Sequence, residues 1–331
     1  METTKHPIPG GDYPRTMQEF DERFPDEKAC QEYILRLRWP DGFVCSRCQT
    51  PSTPWITSRN LLYCRACNGQ ISITAGTVFE GTRKPLRSWF HAIWLVTSQK
   101  NGASAMNIKR VLGLGSYQTA WAWLHKMRRA MIRPGRDCLH GPVEIDETYI
   151  GGPEEGHFGR GAESKALVVI ASEIRGRGPG RIRLRRIDNA SADSLLPFAT
   201  ESIEHRSIIK TDGWSGYSGL GKLGFDHQII NIKQSGNNAH EMLPRVHLVA
   251  THLKRWLEGT LQGGVQKSQL EYYLDEFTFR FNRRNSKARG LLFYRLLQQA
   301  VVTKPTPYQT LIANPKQKIP SGSNLTEMDS T

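Results

Sequence analysis

"PVEIDETYIGG", residues 142–152, sets three carboxylates into a short apolar stretch and then breaks on glycines. Val143 and Ile145 alternate with Glu144 and Asp146, the two-residue period of a strand packed on one face. A charged group near a core is costly unless something pairs with it. So either Glu144, Asp146 and Glu147 form a strand's solvated edge, or one of them holds a metal ion. Segments further along set the fold class. "KALVVIASEI" is strongly β-prone and "GRIRLRRIDN" alternates again. "SADSLLPFATESI" reads as a helix opened by Ser191. "RSIIKTDGWSGY" is a strand ending at Asp212 and Gly213, and "GFDHQIINIKQ" is one more. "RVHLVATHLKRWLEG" and "SQLEYYLDEFTFRFNRRN" are helical. The order predicts an α/β domain: a mixed sheet with helices on its faces.

The chain has 331 residues, 38% of them hydrophobic, enough for two or three domains. Its net charge is +14 and its sequence pI about 9.6. That balance points to a polyanionic partner, most often nucleic acid. The excess is local. Residues 51–140 carry 13 basic and 2 acidic side chains, residues 241–331 carry 13 and 7, and residues 141–240 carry 12 and 13. A generally basic soluble surface is the plainer alternative. No apolar run has the length of a bilayer span. The opening "METTKHPIPGGDYPRT" lacks the charged-then-apolar pattern of a signal peptide. The expected location is cytoplasmic, with no membrane partner.

Four of the six cysteines form "CSRC" and "CRAC", Cys45, Cys48, Cys64 and Cys67, with 15 residues between the pairs. In a reducing compartment this spacing reads as one structural Zn²⁺ rather than as disulfides. Such a site is closed and leaves no position for a substrate. Cys30 and Cys138 have no partner motif and are expected to be inert. Between the pairs, "TPWITSRNLLYC" reads as a short hairpin.

"SAMNIKRVLGLGSYQTAWAWLHKMRRAM" reads as a helix, a glycine turn at 113–115, and a second helix capped by Ser116, an arrangement like helix-turn-helix. Ala120, Trp123, Leu124 and Met127 form its apolar stripe. Gln118, Thr119, His125, Lys126, Arg128 and Arg129 lie on the other face. A recognition helix needs such a wet side for bases and phosphates, though an ordinary bundle helix has the same pattern. Lys126, Arg128 and Arg129, with Lys109 and Arg110 on the first helix, are the expected DNA contacts. The expected domains are a helical segment at 1–42, a zinc ribbon at 43–82, the helix-turn-helix-like region at 83–132, a linker at 133–142, the α/β domain at 143–303, and a disordered tail at 304–331.

Metal-dependent phosphoryl transfer on nucleic acid needs carboxylates that hold divalent cations, two of them about 4 Å apart, between attacking and leaving oxygens. Asp146 on one strand and Asp212 at the end of another are suited to meet at one sheet edge. "CSRC…CRACNGQISITAGTVFEGTRKPLRSWF", "VEIDETYIGG", "TDGWSGY", "HLKRWLEGT" and "YYLDEFTFRFNRR" together resemble the bacterial insertion-sequence transposases of the DDE type that carry an N-terminal zinc ribbon. The similarity covers roughly residues 18–298. It implies a ribonuclease-H-like catalytic domain and Mg²⁺ or Mn²⁺, as a pair of ions. It also implies double-stranded DNA as partner, both the element's terminal inverted repeats and the target. Strand cleavage followed by strand transfer, a homo-oligomer (a dimer or larger) and a place at the bacterial nucleoid are implied as well.

In that pattern Asp146 is the first catalytic aspartate and Asp212 the second. The third position is Glu in DDE enzymes in general and often Asn in this group, and this chain departs from both: "VATHLKRW" sets His252 at the matching place. Two readings of His252 stand, a neutral imidazole that binds the second cation or positions the attacking water, or a half-buried ring against Trp256. Lys254 either contacts a phosphate or terminal base, or pairs with Glu258. Glu144 is either a support for the metal site or a solvated edge, and Glu147 structural. Trp214 and Tyr217 either stack on bases or pack inside. The rival functions are a zinc-ribbon DNA-binding regulator without catalysis and an inactive relic.

Overall fold

The computed structural model describes residues 6–59, 61–133, 135–151, 165–230, 242–262 and 265–313. The glycine-rich "PEEGHFGRGAES" segment and the expected tail beyond residue 313 lie outside these. In chain order the elements begin α1 (Met17–Arg23), α2 (Glu27–Arg38), β1 (Trp55–Ile56), β2 (Leu61–Tyr63), β3 (Gln70–Ser72), α3 (Leu86–Ser98), α4 (Ala105–Val111) and α5 (Tyr117–Ala130). There follow β4 (Val143–Ile150), β5 (Ala166–Arg175), β6 (Gly178–Ile187), α6 (Ala192–Ser202), β7 (Ile208–Thr211) and β8 (Asp226–Ile229). The chain continues with α7 (Pro244–Leu261), α8 (Leu270–Phe281), α9 (Arg289–Ala300) and α10 (Tyr308–Ala313). The described residues form two compact units, one of residues up to 133 with 286–313, the other of residues 135–285.

In the first unit, short polar residues start the helices, as each accepts a backbone N–H that the first turn leaves free. Thr16 caps α1, Asp26 caps α2, Ser104 caps α4 and Ser116 caps α5. The core is aromatic. Phe24 meets Phe90 at 4.9 Å between ring centroids, and Phe293 lies 5.8 Å from Phe24 and 5.6 Å from Trp94. Phe293 belongs to α9, a segment expected in the α/β domain. The structure corrects that boundary, because α9 packs on α3. Gly290 permits a very close approach: a Cβ there would stand 1.6 Å from the Pro14 carbonyl oxygen. The expected tail also changes, since residues 308–313 form α10.

In the second unit the strand order is β6-β5-β4-β7-β8. β4 pairs antiparallel with β5 and parallel with β7, so the sheet is mixed, in the ribonuclease-H-like order. Both faces are covered, which is why β5 reads as a continuous apolar run. Val143 and Ile145 pack with Leu195 and Phe198 of α6 on one side. On the other, Val168 and Ile170 pack with Val246, Val249 and Leu253 of α7. The outer edge of β6 is closed by α8 and the residues just after it. Asn282 accepts the Ile182 N–H at 2.7 Å and donates to its carbonyl at 3.2 Å, and Glu271 accepts the Arg186 N–H at 2.7 Å. Side chains thereby satisfy an edge that would otherwise pair with another strand.

Candidate functional site

The zinc ribbon is built from two matching knuckles. In each, the residue after the second cysteine has a left-handed backbone, Gln49 at φ 57° and Asn68 at φ 56°. A Cβ on Gly69 would lie 3.1 Å from Cys67 Sγ, so a side chain there would crowd the sulfur. The four Sγ atoms lie within 4.8 Å of one another, with Cys45–Cys67 at 3.7 Å and Cys48–Cys64 at 3.8 Å. Tetrahedral thiolates at about 2.3 Å from one zinc would stand about 3.8 Å apart. The Arg47 N–H donates to Cys45 Sγ at 3.4 Å. Donor set and spacing both fit zinc. Cys30 is buried, and burial pushes its thiol up to about 12, far from reactivity.

The helix-turn-helix-like pair forms as the spacing implied, with Gly113 at φ 61° in the turn. The stripe of Ala120, Trp123, Leu124 and Met127 is buried, and Trp123 stacks on Trp89 at 3.9 Å. The expected wet face needs correction. Arg128 is only 1% exposed and His125 is fully buried, so Arg128 is no DNA contact. Arg128 donates to His125 Nε2 at 3.3 Å. Burial first, and then Arg128, push the His125 pKa down to about 2, so the ring is neutral. Lys126, Arg129 and Lys109 are half-buried and Arg110 is exposed. Tyr117 and Gln118, in the first turn of α5, are exposed, and their being ahead of the apolar stripe was the signal for them.

In the second unit, Asp146 and Glu144 share one face of β4, and Glu147 points to the other. The parallel pairing matches Val143 with Ile209 and Glu144 with Lys210. Asp146 follows Glu144 by two residues on β4 and Asp212 directly follows the end of β7, so both stand past the paired residues of two parallel neighbouring strands. Each aspartate has one oxygen committed: Asp146 Oδ1 accepts the Glu147 N–H at 2.8 Å, and Asp212 Oδ1 accepts the Trp214 N–H at 2.9 Å. Tyr217, fully buried, donates its phenol to Glu147. Burial, then Glu147, and more weakly Asp146 and Asp212, hold that phenol well above its ordinary pKa. All three carboxylates therefore act on one protonated hydroxyl. Trp214 Nε1 donates to the Ala190 carbonyl at 2.7 Å, so both aromatics pack inside.

His252 does not stand where the sequence motif set it. It is exposed, with its ring 6.4 Å from Phe281 between centroids. Burial, then Arg255 and Arg284, lower its pKa. Five residues earlier on the same helix, His247 Nε2 lies 3.5 Å from Asp146 Oδ2, with side chains 34% and 20% exposed. Five residues turn a helix by about 140°, so the two imidazoles cannot face the same way. Lys254 is exposed, seven residues and nearly two full turns beyond His247, and so on the same stripe. Glu144 is not a solvated edge: it is 1% exposed and accepts from the backbone of Arg245 and Val246.

An imidazole and a carboxylate suit Mn²⁺ or Mg²⁺, the nitrogen favouring Mn²⁺. Among the described residues only the four thiols are gathered tightly enough to hold an ion as they stand. No helix of the described residues is long and apolar enough to cross a membrane.

Two family models match the chain: the ISXO2-like transposase domain over residues 138–282 and the transposase zinc-ribbon domain over residues 25–70. A protein from Halobacterium salinarum, described as an uncharacterized protein in transposable element ISH50, is 25% identical over 279 residues, covering 78% of this chain and 91% of its own length. An uncharacterized transposase-like protein of Haemophilus influenzae is 28% identical over 116 residues, covering 35% of this chain and 93% of its own.

Proposed function

Because the chain belongs to the insertion-sequence transposases of the DDE type with an N-terminal zinc ribbon, we propose that it binds the terminal inverted repeats of its element, cleaves a DNA strand there and joins the freed 3′ end to target DNA. What supports this reading is the approach of His247 Nε2 to 3.5 Å from Asp146 Oδ2, on a strand that pairs in parallel with the one leading to Asp212. Bound Mg²⁺ or Mn²⁺, two ions in the full site, would neutralise the phosphate and acidify the attacking water. The protein's own part is positioning. Asp146 offers Oδ2 while its Oδ1 is held by the Glu147 N–H, and Asp212 is held likewise by Trp214. His247 takes the role that the sequence motif assigned to His252, as a nitrogen ligand beside Asp146. Lys254, on the His247 stripe, meets a phosphate of the bound end.

The first unit supplies end binding. Tyr117 and Gln118 face outward, as the N-terminal residues of a recognition helix do, beside the exposed Arg110 of α4, with Lys109, Lys126 and Arg129 towards phosphates. Two ends handled together call for a dimer or larger, acting on DNA in the cytoplasm at the nucleoid. Binding weakens steeply with salt as phosphate contacts release counterions.

The test is cleavage of labelled inverted-repeat DNA with Mn²⁺, comparing wild type with Asp146→Asn. Cleavage by the wild type alone supports the transposase. Binding without cleavage by either would make the chain a regulator or relic.

A further inference from the structure

We infer that Glu144 is a positioning residue, which fixes the first turn of α7 so that His247 reaches Asp146. The inference rests on the reading of Asp146 and His247 given above. The first turn of a helix leaves backbone N–H groups without partners, normally met by a polar side chain at the cap. Here the cap residue is Leu243, which offers none. Pro244 begins the helix and has no N–H to satisfy. The next two N–H groups, of Arg245 and Val246, both go to Glu144 Oε2, at 2.7 and 3.1 Å. The other oxygen, Oε1, accepts from Arg245 Nη1 at 3.2 Å. Arg245 Nη2 continues to the Gly176 carbonyl at 2.9 Å, in the turn between β5 and β6.

Three facts make this more than a buried ion pair. Glu144 is a cap supplied from the central strand, so it joins two elements that differ by about a hundred residues in sequence. Its negative charge stands at the positive end of the helix dipole, where it is favoured. And it lies two residues before Asp146 on β4, while its partners on α7 are the residues just before His247. The strand thus grips the helix immediately beside the place where the helix delivers its imidazole. Both oxygens of Glu144 are committed, so it is not itself a metal donor.

The experiment is Mn²⁺ binding to the full-length protein, read by electron paramagnetic resonance of free Mn²⁺, with no DNA and no turnover. Glu144→Ala removes the cap and is expected to weaken Mn²⁺ by about tenfold, as outer partners of metal ligands do. Glu144→Gln keeps an acceptor for the two N–H groups and is expected to restore most of that loss. Should Glu144→Ala fail to fold, Glu144→Asp serves instead, since it keeps the charge but withdraws the oxygens by one methylene. Its affinity is expected to fall below that of Glu144→Gln. Unchanged Mn²⁺ affinity in the folded Ala or Asp variant overturns the inference. So does a loss of the same size in a His247→Ala background, because a residue acting through His247 has nothing to add once the imidazole is gone. If His247→Ala by itself leaves Mn²⁺ binding intact, the reading of His247 fails, a result separable from the other two.

Discussion

His247 Nε2 faces Asp146 Oδ2 at 3.5 Å, a pairing made by the first turns of α7 against the central strand. His247 stands five residues before His252, the position the motif suggested for the third member of the site. The expected outcome follows directly. His247→Ala lowers Mn²⁺-dependent cleavage of end DNA by about 100-fold or more, on the order of what a positioned catalytic group contributes. His252→Ala keeps activity within about threefold, as exposed substitutions do. Gel-shift binding of the same DNA is unchanged in both. Equal losses in the two variants would return His252 to the site.

His125 gives the first unit a measurable pH dependence. Its pKa is lowered from 6.5 to about 2, by burial first and then by Arg128. The unfolded chain takes up a proton below about pH 6.5 and the folded chain does not. Stability is therefore lost as pH falls through that range, at up to about 1.4 kcal/mol per pH unit for this group. Between pH 7 and 5.5 the wild type should lose about 1 kcal/mol more than His125→Gln, which keeps an acceptor for Arg128. Urea unfolding followed by tryptophan fluorescence tests it, and parallel curves would refute it.

Phe293 closes the aromatic core of the first unit from the C-terminal side of the chain. Phe293→Ala should destabilise that unit by about 3–5 kcal/mol through cavity formation. A chain ending at residue 285 should lose end binding together with the protease resistance of residues 6–133. Retained binding by the shortened chain would show that the core closes without α9.

Removal of zinc should melt β1 to β3 and leave the second unit intact. Chelation, or Cys48→Ser, is expected to abolish the one-to-one zinc content and to expose the ribbon to protease. The sheet of β4 to β8 should keep its unfolding transition. A ribbon that stays folded and zinc-free would contradict the account of the four thiols.

Much of this was legible in the linear chain because the signals are local. The two CxxC pairs, Ser116 before the recognition-type helix, and the alternation of Val143 and Ile145 with Glu144 and Asp146 each need only near neighbours in sequence. Asp212 is marked by the end of a β-prone run. Arg128 was misread because a helical face records spacing and not what covers it. Tertiary packing buried that guanidinium against His125. Glu144 was similarly undecided: a carboxylate on a strand looks the same whether water or a distant helix meets it.

The sequence by itself determined the elements and the gathering of the four cysteines, and it marked the two candidate aspartates, because hydrophobic period, caps and ligand spacing are encoded over a few residues. Only the tertiary structure decided that His247 rather than His252 reaches Asp146, that Glu144 caps α7, and that α9 completes the first unit. Those outcomes depend on helix phase and on contacts between segments far apart in the chain, and neither is specified until the core has packed.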